Sequence, residues 1–299
     1  MAANTVPPLF ASERPGAPER RRLVPALATD LAVIACIAGL VFGARGFAGH
    51  WTQELRPTVE IDLSPSALPL YTFYSLSRGV LAYVLSLAFT LGYGYWAAKD
   101  GRAGRVLLPL LDVLQSIPVL GFMPGLVLAL VHLFPRSNVG LELAAVVMIF
   151  TGQAWNMTFS YVHSLRSVPP EQREVAALYR FGWWRTLRRV ELPFATTGLV
   201  YNSMMSMAGG WFFLMVNEAF VLGDKDYRLP GLGAYMSVAA ARGDRAAMLR
   251  AVLAMVLMIA LLDQVIWRPL VAWAQKFRIE ESAGEVGTKS WVYDLVRRS

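Results

Sequence analysis

SVPPEQREVAALYRFGWWRTLRRVELP occupies residues 167–193 and separates two long apolar segments of the chain. Ser167 can cap a helix, and the two prolines that follow Val168 suit its first turn. Gly182 supplies a turn that ends this helix, so the segment predicts two short helices instead of a simple connector. The first helix has an apolar stripe beside a basic one, and the stripe consists of Val175, Leu178 and Tyr179. Such a face requires a partner, which is either another protein or anionic lipid.

The composition on either side of this segment is that of a membrane protein. Of the 299 residues, 56% are hydrophobic and only 16% are charged, whereas charged residues make up about a quarter of a soluble domain. The formal charge is +7, but the basic residues lie between apolar runs and form no basic face, which excludes nucleic acid as the main partner. The single cysteine, Cys36, excludes an intramolecular disulfide. No phosphate-binding loop ending in Gly-Lys-Ser/Thr is present, so ATP hydrolysis would come from another chain.

Six apolar segments are long enough to cross the hydrocarbon layer, which takes about 20 residues of helix. They are residues 23–43, 78–98, 106–133, 139–161, 192–222 and 248–270. The first is longer than a signal-peptide core and predicts an uncleaved span. The third, fourth and fifth contain prolines, glycines or polar side chains, which are tolerated at membrane depth only where protein or a water-filled cavity satisfies the freed polar groups.

The segments between the spans complete the predicted organisation. Residues 1–22 are expected to form a flexible cytoplasmic tail, residues 44–76 an extracytoplasmic loop, residues 162–193 a cytoplasmic loop and residues 273–299 a cytoplasmic tail. Most of the 28 Lys and Arg residues fall in the two tails, the 162–193 loop and the short connection after residue 98. Because cytoplasmic loops carry an excess of Lys and Arg, both termini are predicted to face the cytoplasm.

The 167–193 segment resembles a motif of the membrane subunits of binding-protein-dependent ABC importers, in particular the permeases for nitrate, sulfonate or taurine, and bicarbonate. That motif reads Glu-Ala-Ala, three residues, Gly, nine residues, an aliphatic residue, one residue and Leu-Pro. The matching positions here are Glu174, Ala176, Val190, Leu192 and Pro193. Val175 replaces the first Ala, and Arg180 stands where the Gly is expected, with Gly182 two residues later. The resemblance extends over roughly residues 77–270, including 114–124 and 207–213.

The resemblance implies an all-α membrane protein of the type I importer class, with six transmembrane helices and a coupling helix between spans four and five. Glu174 would then contact a separate ATPase subunit, and Ala176 and Ala177 would keep the helix slim enough for close approach. Gly182, Leu192 and Pro193 would complete the coupling loop.

The resemblance also implies the rest of the complex. ATP and Mg²⁺ would bind to the ATPase, so this chain is expected to bind no cofactor and to catalyse no reaction. A second permease subunit, identical or related, would complete the pathway, and an extracytoplasmic solute-binding protein would deliver a small anion of the nitrate, sulfonate or bicarbonate class. The location would be the bacterial inner membrane, with the lipid bilayer around the spans.

Polar residues inside the spans are candidates for the translocation path or a gate, because ionisable groups at membrane depth are costly. Glu218 could line the path or pair with a neighbouring helix, and Pro118 should kink the third span and free backbone carbonyls. Asn156 and Asn202 could contact the solute or hydrogen-bond between helices. The full candidate set is Gln115, Ser116, Pro118, Asn156, Asn202, Trp211, Asn217 and Glu218. The adjacent Gly209 and Gly210 favour close helix packing or a local bend.

Two other classes of function compete with an importer subunit. A self-contained secondary transporter or channel would need its own coupling-ion site and usually has internal repeats, of which the sequence has none. A membrane-embedded enzyme would need clustered catalytic residues, whereas His50, His132 and His163 are scattered and predict no metal site. Dependence of transport on nucleotide distinguishes these classes, since only an importer subunit requires a partner ATPase.

Overall fold

The computed structural model describes residues 20–53, 60–223 and 225–277, with side chains from residue 31 onward. The chain divides into two compact units, residues 1–46 and 47–299. Most of the predicted tails, residues 1–22 and 273–299, lies outside the described residues. Where the structure reaches into those tails it is helical, because the first helix begins at Arg20 and the last turn ends at Phe277.

The described chain is almost entirely helical, and five of its helices are long and apolar enough to cross a membrane. The longest are α1 (Arg20–Trp51), α2 (Leu68–Lys99), α5 (Val139–Arg166) and α8 (Leu192–Glu218). The fifth consists of α10 (Arg245–Leu262), a π-helical turn Asp263–Trp267 and α11 (Arg268–Ala274). The predicted all-α membrane fold is confirmed.

The third predicted span is not one continuous helix. It comprises α3 (Gly101–Ser116) and α4 (Val119–Leu133), which meet at an angle of 91°. Pro118 accounts for the break, since its ring blocks a preceding helical turn and its nitrogen cannot donate a hydrogen bond. Among the described residues, the helices long and apolar enough to span a membrane therefore number five, or six if this bent pair counts as one.

The predicted loop at residues 44–76 is shorter than expected. Helix α1 continues to Trp51, a 3₁₀ turn covers Pro65–Ala67, and α2 begins at Leu68 instead of near residue 78. Pro65 and Pro69 lie in the first turns of the 3₁₀ turn and of α2, where a missing N–H costs nothing. Ionisable and polar residues on α2, including Arg78, are thereby placed inside a helix.

The core forms where α5 packs against α2 on one side and α8 on the other along most of its length, while α2 and α8 meet over a shorter stretch. Small residues on α2 face α5 and α8, and Tyr161 of α5 lies against Gly94. The buried cluster beside them includes Ile149, Leu214 and Tyr235, each almost fully buried. Close contact of this kind stabilises helix pairs in a membrane, where lipid removes the hydrophobic drive for association.

Two connections complete the fold. After α8, a two-stranded antiparallel hairpin of β1 (Val221–Leu222) and β2 (Lys225–Asp226) leads to α9 (Leu232–Ala241). The 167–193 segment contains α6 (Pro170–Leu178), α7 (Trp183–Thr186) and a π-helical turn Leu187–Glu191 that continues directly into α8. The hairpin and the loop therefore lie at opposite ends of α8.

Candidate functional site

The turn after α6 gives the 167–193 loop its shape. The amide of Phe181 donates to the carbonyl of Ala176, and the amide of Arg180 donates to the carbonyl of Ala177. This pair of bonds is a Schellman motif, which requires a left-handed residue after the helix. Arg180 occupies that position with a φ of 48°. The same motif ends α9, where Gly243 is the left-handed residue with a φ of 68°.

The prediction that Gly182 makes the turn after α6 is wrong. Gly182 is extended, with a φ of −68° and a ψ of 164°, and it caps the start of α7. The bend stays at the position where the motif has its glycine, and Arg180 adopts the left-handed conformation there. Backbone hydrogen bonds fix the end of α6 at this position. An arginine, which disfavours the left-handed conformation, therefore occupies it without shifting the helix end.

Helix α6 has one buried face and one open face. Ala176 is 4% exposed, whereas Glu174 and Ala177 are exposed. The large apolar side chains of the open face are Val175, Leu178 and Tyr179, and Leu178 is 81% exposed. The two alanines therefore have different surroundings, because Ala176 is on the buried side of α6 and Ala177 is on the exposed side.

A recess of about 410 Å³ lies between α6 and the beginning of α8. Its walls are mostly apolar, with one acidic and one basic side chain, Glu171 and Arg189. The other lining residues are Gln172, Val175, Val190, Pro193, Phe194 and Phe277. Pro193 thus lines the recess, and its neighbour Leu192 packs with Tyr161 and Leu165 in the bundle.

Polar contacts fasten the loop to the ends of α2 and α5. Lys99, the last residue of α2, pairs with Glu191 in the π-helical turn. Glu191 is almost fully buried, and its second carboxylate oxygen has no hydrogen-bond partner among the described residues. At the same end, Arg173 of α6 donates to the carbonyls of Leu165 and Arg166. The loop is therefore bonded directly to the ends of these two helices.

A cluster of charged side chains lies buried at the other end of the bundle. Arg78 on α2 is fully buried and donates from Nε and Nη2 to the two carboxylate oxygens of Glu142 on α5, at 2.7 and 2.6 Å. Its Nη1 donates to Glu218 Oε1 on α8 at 2.7 Å. The three main helices are thus joined by one guanidinium group, whose planar fork suits two carboxylates.

The cluster also holds the connection between α8 and α9. Arg78 Nη1 donates to the carbonyl of Pro230, and the amide of Gly233 donates to Glu218. The hydroxyl of Ser75 donates to Glu218 and accepts from the amide of Leu232. Buried carboxylates are stable only when their oxygens are satisfied in this way.

Arg78 and Glu142 were absent from the candidate set, although a signal for them exists in the sequence. Arg78 and Glu142 each lie near the start of a span, and Glu218 lies near the end of one. Successive spans cross the membrane in opposite directions, so the beginnings of the second and fourth spans and the end of the fifth meet at one membrane face. Opposite charges that share a depth in the membrane are expected to pair.

Glu218 and its neighbours are engaged inside the bundle. Glu218 is fully buried in the charged cluster, and the side-chain amide of Asn217 donates to the carbonyl of Phe213 at 2.7 Å. Trp211 packs against Gly79 of α2 and lines a cavity of about 240 Å³ beside α10. These three candidates lie together near the charged end of α8 and take part in packing.

The two asparagine candidates have different surroundings. Asn202 Nδ2 donates to Ser160 Oγ on α5 at 2.8 Å, so it joins two helices. Asn156 is exposed on α5, and within the described part of the chain its side chain makes no hydrogen bond. On α8, large exposed side chains follow one face, namely Tyr201, Met205 and Phe212.

The three remaining candidates lie together at the break in the third span. Gln115 and Ser116, the last residues of α3, donate to the side chain and carbonyl of Asp112. Pro118 caps α4, and all three candidates are exposed. The break therefore presents polar groups outward.

Comparisons with known proteins agree with this architecture. Residues 90–266 match the family described as binding-protein-dependent transport system inner membrane component. Over 144 residues the chain is 25% identical to the putative aliphatic sulfonates transport permease protein SsuC of Bacillus subtilis (strain 168). The aligned part is 48% of this chain and 49% of that protein, so the chain spans about half the length of this relative. Since the family match covers more than half of the chain and includes α5, the 167–193 loop and α8, the chain belongs to the inner membrane components of binding-protein-dependent transport systems.

Proposed function

We propose that this chain is the permease subunit of an ATP-driven importer, that it forms half of the translocation pathway, and that it docks a separate ATPase subunit through residues 167–193. The observation that carries the proposal is the open face of α6. Val175, Leu178 and Tyr179 present large apolar side chains to the outside beside the carboxylate of Glu174. A cluster of this kind on a short polar loop is typical of a protein interface.

The recess beside α6 supports the same function. Its mainly apolar walls can receive a side chain from the ATPase, and Glu171 of α6 offers a polar contact at its edge. The pair of Lys99 and Glu191 provides the mechanical connection from the docked loop to the bundle. ATP and Mg²⁺ bind to the ATPase in this scheme, and closure of two ATPases moves the docked loops and the helices attached to them.

A second permease subunit, either a copy of this chain or a related one, completes the pathway. The exposed face of α8 and Asn156 of α5, which has no hydrogen-bond partner in the described part of the chain, support this step, because a polar side chain at membrane depth requires protein or water around it. The loop and both termini face the cytoplasm in this arrangement, following the distribution of Lys and Arg. An extracytoplasmic binding protein delivers the solute to the opposite face, where the charged cluster lies.

The solute proposed is a small anion of the nitrate, sulfonate or taurine, or bicarbonate class. The name of the relative from Bacillus subtilis favours the sulfonate class, although the alignment covers only half of that protein.

The test is co-purification of the full chain from its native membrane in mild detergent, followed by an ATPase assay. We expect an ATPase subunit in the complex and vanadate-sensitive ATP hydrolysis. Ala177→Arg should abolish ATPase association while the chain still inserts in the membrane, because Ala177 is on the open face of α6. Arg242→Glu, at an exposed site in the connection between α9 and α10, is the control and should leave association intact.

Normal association in Ala177→Arg would contradict docking through α6. Recovery of a lone chain that is indifferent to nucleotide would favour a self-contained transporter or channel instead.

A further inference from the structure

A basic and aromatic patch follows α6 in the 167–193 loop, on the segment that continues into α8. Its aromatic members are Trp183 and Trp184, which are 63% and 56% exposed. Its basic members are Arg185, Arg188 and Arg189, all exposed. We call these five residues the Trp-Arg patch. Such large exposed indole rings beside three cations require a partner other than water alone.

The depth of the patch follows from contacts in the bundle. The part of α5 from Glu142 to Tyr161 is about 29 Å long, close to the ~30 Å thickness of the hydrocarbon layer. Tyr161 lies against Gly94 of α2. With the charged cluster placed at one edge of the layer, Gly94 and the adjacent Tyr95 fall at the opposite edge. The ring of Trp183 contacts the ring of Tyr95, with centroids 6.1 Å apart. Trp183 is thereby held at the boundary between hydrocarbon and head groups, where Trp and Tyr side chains are enriched.

The charges of the patch are available for a ligand. Among residues 20–53, 60–223 and 225–277, no carboxylate forms an ion pair with Arg185, Arg188 or Arg189. Arg189 lies over the ring of Phe181 at 5.8 Å, whereas Arg185 and Arg188 make no such contact. The spacing of Arg185 and Arg188 puts both on one side of the helical segment, next to Trp184.

We propose that the Trp-Arg patch binds the anionic phospholipid surface of the inner leaflet. The arginines contact lipid phosphates, and the indole rings insert at the level of the head groups. The loop is then divided between two partners, with α6 for the ATPase and the Trp-Arg patch for lipid. This inference shares with the proposed function only the location of the loop at the inner membrane face.

The test measures lipid binding and ATPase association separately. The purified full chain in detergent is titrated with phosphatidylglycerol, and bound lipid is counted by native mass spectrometry. Each basic residue near an anionic surface contributes about 1 kcal/mol, so Arg185→Gln/Arg188→Gln should weaken the apparent affinity about thirtyfold. High salt should reduce binding to the unmodified chain. Phosphatidylcholine should bind weakly to both the unmodified chain and the Arg185→Gln/Arg188→Gln variant.

Two matched variants provide the controls. Arg242→Gln/Arg245→Gln removes two exposed arginines near the opposite end of the bundle and should keep the affinity of the unmodified chain. Arg185→Lys/Arg188→Lys preserves the charge and should retain most of the binding, which also shows that the site tolerates substitution. Unchanged phosphatidylglycerol affinity in Arg185→Gln/Arg188→Gln would overturn the proposal. Loss of ATPase association in that variant with lipid binding intact would assign the patch to the ATPase instead.

Discussion

Arg78 and Glu142 lie on neighbouring helices with Nη2 and Oε1 2.6 Å apart, and neither side chain is exposed. The same guanidinium contacts Glu218 on a third helix. A charge in this position is stable only with its partners, so the arrangement commits α2, α5 and α8 to one relative position. Three helices that are each apolar enough to span a membrane alone are therefore aligned by a small number of polar atoms.

Removal of Arg78 should destabilise the bundle strongly. Arg78→Met removes the guanidinium shared by two buried carboxylates and leaves Glu142 with the ring of His50 at 3.1 Å, and loss of one partner of a buried pair costs roughly 3–5 kcal/mol. Unfolding of the purified chain in a titration with sodium dodecyl sulfate measures this change. Arg268→Gln is the matched control, because Arg268 pairs with Asp263 at a half-exposed site, where a pair contributes at most about 1 kcal/mol. Equal effects of the two substitutions would contradict a structural role of the buried cluster.

The two adjacent glycines of α8 should respond differently to alanine. A methyl group at Gly210 would collide with the side chain of Gln153, which is fully buried and donates to Met207 Sδ. We expect Gly210→Ala to cost roughly 1–3 kcal/mol through this displacement. At Gly209 an added Cβ meets no atom within 4 Å in this chain, so Gly209→Ala should be neutral or slightly stabilising. The same detergent titration compares the two, and a larger loss at Gly209 would indicate that this face is already covered in the purified protein.

Arg180 and Gly243 are the left-handed residues that follow α6 and α9, and substitutions at these two positions should change stability in opposite directions. Arg180→Gly should stabilise the end of α6 by about 1 kcal/mol, because a left-handed conformation costs a residue with a Cβ roughly that amount. Gly243→Ala should destabilise the end of α9, because alanine pays the same cost in the left-handed conformation. No neighbouring atom of the described residues lies near the added methyl group, so the backbone conformation is the whole effect. Hydrogen exchange of the amides of Phe181 and Asp244 reports on each turn. Faster exchange of the Phe181 amide in Arg180→Gly would show that the arginine side chain contributes more than its backbone costs.

The Lys99 and Glu191 pair should be coupled energetically. Lys99→Gln leaves the nearly buried Glu191 carboxylate without its cation, and a loss of about 1–3 kcal/mol is expected for an unsatisfied buried group. Lys99→Gln/Glu191→Gln removes the charge as well and should recover part of that loss. A double-mutant cycle of unfolding free energies gives the coupling, and strictly additive effects would exclude a direct interaction.

The helical membrane fold followed from the sequence because its signal is local. Apolar runs of spanning length have few alternatives to a helix in lipid, where the backbone must satisfy its own hydrogen bonds. The break at Pro118 was predictable for the same reason, although its size of 91° depends on how α3 and α4 pack. The short helices of the 167–193 loop were likewise predictable from prolines and helical spacing. The predicted cap was wrong, because Ser167 ends α5 and Pro169 stands at the N-cap of α6 without a side-chain hydrogen bond.

Only the tertiary structure decided which residues meet. The sequence suggested Gly182 for the turn after α6, but the backbone hydrogen bonds of the helix end fall at Arg180. The sequence did not distinguish Gly209 from Gly210, whereas the rotation of α8 places Gly210 against Gln153 and Gly209 on an open face. The side chains that bond to Glu218 come from residues more than 130 positions away in the chain, Ser75 and Arg78. Hydrophobicity sets which segments enter a membrane, but the depth and rotation of each helix depend on contacts between segments, and those contacts assembled the charged cluster.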